Sequence, residues 1–283
     1  MKLEPVKLEG TRTVGSLEHV WRKSRALFTI WFAQTMVYRA QIVIWVLSGV
    51  VPLIMMSVWI GKAAASGGNL EGFTPASFAA YFLAAWVSQQ LTVAWVAWEM
   101  DFQIRQGELS SRLLRPLDPF WEHFFRHLSD RFVRGPFILI FVIVGSLIVP
   151  STRLTPDLWH VLLYLLVINL AFAMRFLIAY CIGVLCFWLE NATAFDEFFY
   201  VLLTFLAGGF APLEFYPPAA RAIIEWTPFP YLVYFPARVL TGALSAPEIL
   251  RVIGVQLLWI AVFFVLRAVL WKAGLKRYGA VGA

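Results

Sequence analysis

Few residues in this sequence have the type and spacing that chemistry needs. His123 and His127 stand at i and i+4, the spacing at which two imidazoles on one helix face hold a metal ion. No glutamate lies between them in the metalloprotease pattern and no third ligand is near, so a structural or surface role is expected and no metal site is assigned. Cys181 and Cys186 lie five apart in an apolar run, offer neither a disulfide framework nor a zinc spacing, and read as packing residues. The pair Gly61-Lys62 is followed by Ala63 and has no glycine at Met56. The phosphate-cradling loop G-x-x-x-x-G-K-[ST] is therefore missing, and the chain is expected to bind no ATP itself. No acidic pair accompanies the four histidines in a span, as a lipid-modifying enzyme would need, and no carboxylate sits mid-span as ion-coupled transport would need. Arg175 is the one deep ionisable residue; it pairs with a partner, contacts a substrate or extends to an interface. No catalytic residue and no cofactor is assigned.

The elements around these residues belong in lipid. Of 283 residues, 60% are hydrophobic and only 14% charged, against roughly 25% charged in a soluble domain. Mean hydropathy is +0.74 over the whole length. The net charge of +6 does not point to nucleic acid, because the basic residues are divided by long uncharged stretches. A helix crossing a bilayer core of about 30 Å needs about 20 residues, and six runs approach that length: 40–61, 74–98, 135–152, 158–189, 198–213 and 249–271. Pro75 suits the first turn of the second; Gly135 and Pro136 open the third, with Pro150 near its end. The fourth follows a capping signal at Thr155, Pro156 and Asp157, is interrupted only by Arg175, and reads as one long tilted helix. The fifth follows the acidic pair Asp196 and Glu197. In the last, Arg251 and Arg267 are placed to reach the interfaces. The expected fold is all-α and polytopic, one membrane domain with six transmembrane helices over 40–271, preceded by 1–39 and followed by a tail, 272–283.

Lysine and arginine set the orientation. Sixteen fall before the first run, between the second and third, or after the last, and four (Lys62, Arg153, Arg221, Arg238) fall in the alternate connections. Both termini and the second connection are therefore expected in the cytoplasm, and no secretory signal peptide is read.

Three segments outside the spans have a pattern of their own. Before the first run, Leu17, Val20, Trp21, Leu27, Phe28, Trp31 and Phe32 recur at helical spacing opposite charged residues. This is an interfacial helix, either a lipid-surface anchor or a docking element for a partner. The second connection holds a short helix over 108–114, with Leu109 and Leu113 on one side beside Arg112 and Arg115. A second helix opens at Asp118 and Pro119, with Trp121, Phe124, Phe125, Leu128 and Phe132 on one face. The fifth connection places six of the fifteen prolines between Pro212 and Pro236. That excludes a spanning helix, yet the segment is too aromatic for an ordinary outer loop, so re-entrant helices packed against the spans are expected. One covers 218–226, with Arg221 and Glu225 paired at i and i+4.

The whole pattern resembles the transmembrane permease subunit of a type-2 ABC exporter. The segment IRQGELSSRLLRPLDP (104–119) resembles the elbow of bacterial ABC-2 permeases, and CFWLENATAFDEF, LAGGFAPLEFYP and PFPYLVYFPARVLTG resemble their later signatures. The resemblance implies that the first elbow is a coupling helix seated in a separate ATPase subunit, here Ile104, Arg105, Gly107, Glu108, Leu109, Arg112, Leu113 and Arg115. It implies a gate at the second, here Gly208, Gly209, Pro212, Glu214, Pro217, Pro228, Pro230 and Pro236, with Arg175 as a pathway candidate. It further implies two permease chains, alike or different, with ATP and Mg bound by the partner ATPase, and export of an amphipathic or hydrophobic cargo across the cytoplasmic membrane. The competing reading from the residues alone is a membrane scaffold that recruits a cytoplasmic partner through the basic elbow and transports nothing.

Overall fold

The computed structural model describes residues 16–38, 44–46, 49–148, 154, 156–190 and 192–281, and among these no strand occurs. The expected start of the first run at Ala40, and Pro150, Thr152 and Thr155, lie outside the described residues. Among the described residues three stretches, Ile44–Ala65, Leu158–Phe187 and Ala246–Tyr278, are long and apolar enough to cross a membrane. They correspond to the first, fourth and sixth expected spans. The first contains helix α2 (Val51–Ala65), which follows helix α1 (Ser16–Val37).

The second, third and fifth spans depart from the sequence reading. Helix α3 (Pro75–Thr92) starts as expected: Thr74 Oγ1 accepts from the Ser77 N–H at 3.2 Å, Ser77 Oγ accepts from the Thr74 N–H at 2.7 Å, and Pro75 needs no partner. It stops at Thr92, however, and α4 (Val96–Arg105) begins after three non-helical residues. No proline causes this break. The Ser88 and Thr92 hydroxyls donate back to the carbonyls of Ala84 (2.8 Å) and Ser88 (2.9 Å), a pattern that bends helices, and a side chain from another helix takes the freed Trp95 N–H.

After α5 (Glu108–Leu113), helix α6 (Pro119–Ile148) runs straight through Gly135 and Pro136, so the elbow helix and the third span are one element. Pro136 removes a single hydrogen bond, and packing on either side holds the helix together: Phe124 meets Phe176 at 5.3 Å before it, and Phe141 meets Trp86 at 4.5 Å after it. Helix α7 (Leu158–Val184) begins where Asp157 accepts from the His160 N–H at 2.9 Å and is buried over much of its length, with Val167, Ile168, Ala171 and Met174 fully enclosed.

Helix α8 (Thr193–Leu206) has 14 residues, about 21 Å, well short of a bilayer core. It ends because Gly208 takes φ +85, a conformation that L side chains rarely adopt. A Cβ there would lie 2.4 Å from the Tyr81 hydroxyl, which donates to the Gly208 carbonyl at 2.8 Å. The chain then forms α9 (Pro218–Ile224), α10 (Tyr234–Leu240) and α11 (Ala246–Val281). The last is continuous over 36 residues, so what reads as a tail after Trp271 extends the same helix. Leu139, Ile140, Leu147, Leu162, Leu165, Leu258, Val265 and Val269 are all exposed on α6, α7 and α11, as lipid or a second chain requires.

Candidate functional site

The basic elbow is built on one left-handed residue. Gly107 takes φ +72 and turns the chain between α4 and α5. The expected apolar pair on α5 divides: Leu109 is 1% exposed, packed with Met100, Phe120 and Phe187, whereas Leu113 is 37% exposed and Leu114 88%. Ile104 packs against the same cluster. Leu109 thus holds the elbow to its own chain, and the apolar residue turned outward is Leu114. Arg105 pairs with Asp101 at 2.8 Å, Arg112 with Glu122, and Arg115 lies 3.8 Å from Glu122. The Glu108 side chain borders a shallow cleft with Arg112 and Arg126.

Helix α6 turns a different face inward from the one its aromatic residues suggest. Trp121 and Phe132 are exposed, while Phe120, His123, His127 and Arg134 are buried. The histidines are therefore interior groups with defined partners. His123 Nδ1 faces Glu99 Oε2 at 3.0 Å, and Arg126 Nε lies 3.1 Å from Glu99 Oε1 as an ion pair. His127 Nδ1–H donates to the His123 carbonyl at 2.8 Å, and its Nε2 accepts the Trp95 N–H at 3.0 Å. Those two bonds require the neutral Nδ1–H ring, and burial accordingly lowers the His127 pKa despite the Glu99 carboxylate beside it. Burial works to raise the Glu99 pKa, but His127, the hydrogen bond to His123 and Arg126 outweigh it and hold that carboxyl at about 2. The break between α3 and α4 is thus closed by a histidine 32 residues away.

Helix α1 lies on this elbow. Phe28 meets Phe132 edge-on at 5.4 Å, Ser129 Oγ donates to the Phe28 carbonyl at 3.1 Å, and the Arg126 guanidinium sits over Trp31 at 4.9 Å. Val20, Trp21, Ile30 and Phe32 remain exposed on its outer side.

Arg175 does not extend to an interface. It is 1% exposed, between the rings of Phe199 at 4.2 Å and Tyr200 at 4.7 Å, with Asp196 Oδ1 at 3.8 Å. Arg267 likewise does not reach out: it is buried over Phe120 at 3.8 Å, with Asp118 Oδ2 at 3.6 Å. Arg251 is exposed, 4.0 Å from Glu225. Cys181 is buried and Cys186 partly so, and neither forms a disulfide.

The proline-rich elbow folds as short pieces. Pro212 precedes a 3-10 turn at Leu213–Phe215, Pro217 caps and Pro218 opens α9, Pro228 and Pro230 shape a second 3-10 turn at Phe229–Tyr231, and Pro236 lies in the first turn of α10. Arg221 and Glu225 pair at 2.9 Å. Glu214 accepts from Tyr234 at 2.8 Å and lies 3.3 Å from Arg238. Ile224, Tyr231, Leu232, Tyr234 and Ala237 are buried, whereas Ile223 and Trp226 face outward. Gly209 follows the Gly208 turn and sits against the Thr204 carbonyl.

One helix touches both elbows. At its start α11 lines a cavity of about 150 Å3 with Glu214, Arg221 and Arg238 through Glu248 and Arg251. At its far end the Tyr278 and Ser110 hydroxyls are 2.8 Å apart. Spacing does not reveal the cations that Glu99, Asp118, Glu122 and Asp196 pair with, because each meets its cation across 10 to 149 residues of chain.

The sequence matches the family described as "ABC-2 family transporter protein" over residues 50–282. Comparison with curated proteins finds no match.

Proposed function

The chain belongs to the ABC-2 transporter family, and from that membership we propose that it is one permease half of an ATP-driven exporter of an amphipathic or hydrophobic cargo. It is a multi-pass membrane permease, and in this reading two such chains, alike or different, stand in the cytoplasmic membrane with both termini inside. Separate ATPase subunits bind the ATP and Mg. Nucleotide-driven closure of those subunits pushes on the basic elbow and tilts the helices, and cargo leaves past the proline-rich elbow. The coupling contact is the outward side of 104–115, and Gly208 to Pro236 form the gate.

One observation supports this reading above the others. The elbow presents Leu114 at 88% exposure, next to Arg115, from a turn that is fixed by buried Leu109, by the Arg112–Glu122 pair and by the Ser110–Tyr278 contact. A rigid base beneath an exposed apolar tip suits transmission of force to a partner, whereas a mere connector needs neither.

Leu114→Asp tests it. The substitution leaves the chain's own packing intact and places a charge at the partner contact, so ATPase copurification or ATP-driven transport in vesicles should fall at least tenfold, the effect of about 1.4 kcal/mol. Thermal unfolding of the purified chain should not change. Undiminished ATPase coupling would remove the elbow from the interface, and a copurifying partner that does not hydrolyse ATP would favour the scaffold.

A further inference from the structure

A cavity of about 230 Å3 opens where α1 passes over α4 and α6, and nothing in the transport reading uses it. Its depth in the membrane follows from the sequence of α6. Arg134, on its wall, is the last charge before the uncharged stretch that begins at Gly135, so the cavity lies where one leaflet meets water.

The lining carries two kinds of recognition. Trp31, Trp45 and Trp95 contribute ring surface, with Trp45 and Trp95 5.1 Å apart, and tryptophan faces attract ammonium groups. Arg126 and Arg134 contribute donors suited to phosphate. Arg134 is 3% exposed; its Nη2 bonds Asp130 at 2.6 Å, but its buried Nε has no hydrogen-bond partner among the described residues. A buried guanidinium nitrogen left open asks for an acceptor. Among the described lining residues the charges also balance: the carboxylates of Glu99 and Asp130 offset the guanidiniums of Arg126 and Arg134, and His127 is held neutral by its two hydrogen bonds. A ligand with net charge would remain uncompensated there, while one carrying a phosphate beside an ammonium would match both halves of the lining. Val37 and Ile44, near the cavity along the chain, are 76% and 68% exposed and offer apolar surface to acyl chains.

We propose that this cavity holds the headgroup of a zwitterionic phospholipid from the adjoining leaflet, with phosphate toward Arg126 and Arg134 and ammonium between the tryptophan rings and Asp130. The lipid would tie α1 to the elbow helix α6 and does not depend on what the permease carries.

The test is lipid titration of the delipidated full-length chain, with dioleoyl phosphatidylethanolamine and dioleoyl phosphatidylglycerol added separately and bound lipid counted by native mass spectrometry. The first phosphatidylethanolamine should bind about tenfold more tightly than phosphatidylglycerol, the size of one desolvated cation–π contact. Trp45→Ala should abolish that preference, Trp45→Phe, which keeps a ring face, should retain most of it, and Arg126→Gln, which removes a phosphate donor that serves both headgroups, should weaken the binding of both lipids. Trp45 is 42% exposed and Arg126 lies at the surface of the elbow, so both chains should fold. Equal binding of the two lipids, preference for phosphatidylglycerol, an unchanged preference in Trp45→Ala, or undiminished binding of both lipids in Arg126→Gln would overturn the proposal.

Discussion

Replacing Arg175 by Met leaves Asp196 fully buried with no cation, and the reverse follows for Asp196→Leu. Removing one partner of a buried pair costs about 3–5 kcal/mol, because the remaining charge has neither water nor a counterion. Arg175→Met also loses the two ring contacts at 4.2 and 4.7 Å, each worth about 2 kcal/mol when desolvated. It should therefore be the more damaging of the two single substitutions. The 3.8 Å separation matters for the double variant: Arg175 Nη1 and Nη2 and both Asp196 oxygens lack hydrogen-bond partners, so the pair returns little of its own desolvation cost. Arg175→Met with Asp196→Leu should lie within about 1–2 kcal/mol of the natural chain, far from the sum of the singles. Thermal unfolding in detergent reads this directly, with single variants falling by roughly 6–15 °C and the double by a few degrees. Additive losses would show that the two charges act independently, and the pairing argument would fail. Transport adds a second readout: a double variant that folds but carries nothing would place the charges on the pathway.

Protonation of the elbow gives a pH signature. The unfolded chain takes up a proton near the ordinary histidine value of 6.5, which folded His127 refuses, so stability should fall as pH drops below about 6.5. A second loss should follow between 4.5 and about 2 as Glu99 is protonated. His127→Gln, whose amide oxygen can accept the Trp95 N–H, should flatten the first phase in pH-dependent melts; an unaltered slope would assign it elsewhere. Gly208→Ala combines the φ +85 strain with overlap at 2.4 Å and should cost about 2–5 kcal/mol. Gly242→Ala, at φ +67 with its nearest neighbour at 3.7 Å, should cost only about 1–2 kcal/mol, and equal melting temperatures would refute the packing account. Single cysteines in a background lacking Cys181 and Cys186 should label fast at Ile223 and Trp226 and slowly at Ile224, with a nucleotide-dependent rate at Ile224 if the proline-rich elbow is a gate.

What the sequence made legible was whatever depends on neighbours a turn apart. Pro75 at a first helical turn, the cap at Asp157, the Arg221–Glu225 pair and the short helix after Gly107 are local, and the structure has all of them. What it hid depends on which side of a helix meets the rest of the chain. Histidines 123 and 127 read as surface or structural residues because polarity favours water, yet Glu99 and the open Trp95 amide give them partners inside. The break after Thr92 was invisible because its causes are hydroxyls that suit an unbroken helix equally well and an imidazole from another element. Arg267 looked placed for an interface, but Phe120 and Asp118 enclose it from α6 and the turn before it. The elbow motif drew attention to Leu109, and only the packing of Met100 and Phe187 against it turns interest to Leu114.

The continuity of α11 has a mechanical consequence. From Arg251 to Tyr278 it is unbroken, about 40 Å at the rise of an α-helix, and a hydrogen-bonded rod of that length does not shorten. The two elbows cannot approach or separate along it; they can move only as opposite arms of a lever. A tilt of about 10° about its midpoint would carry each end through an arc of roughly 3–4 Å in opposite directions, a displacement on the scale of one side chain. Opening at one face of the membrane would then be tied to closing at the other by the stiffness of a single helix, with no signal passed through the softer, interrupted segments beside it.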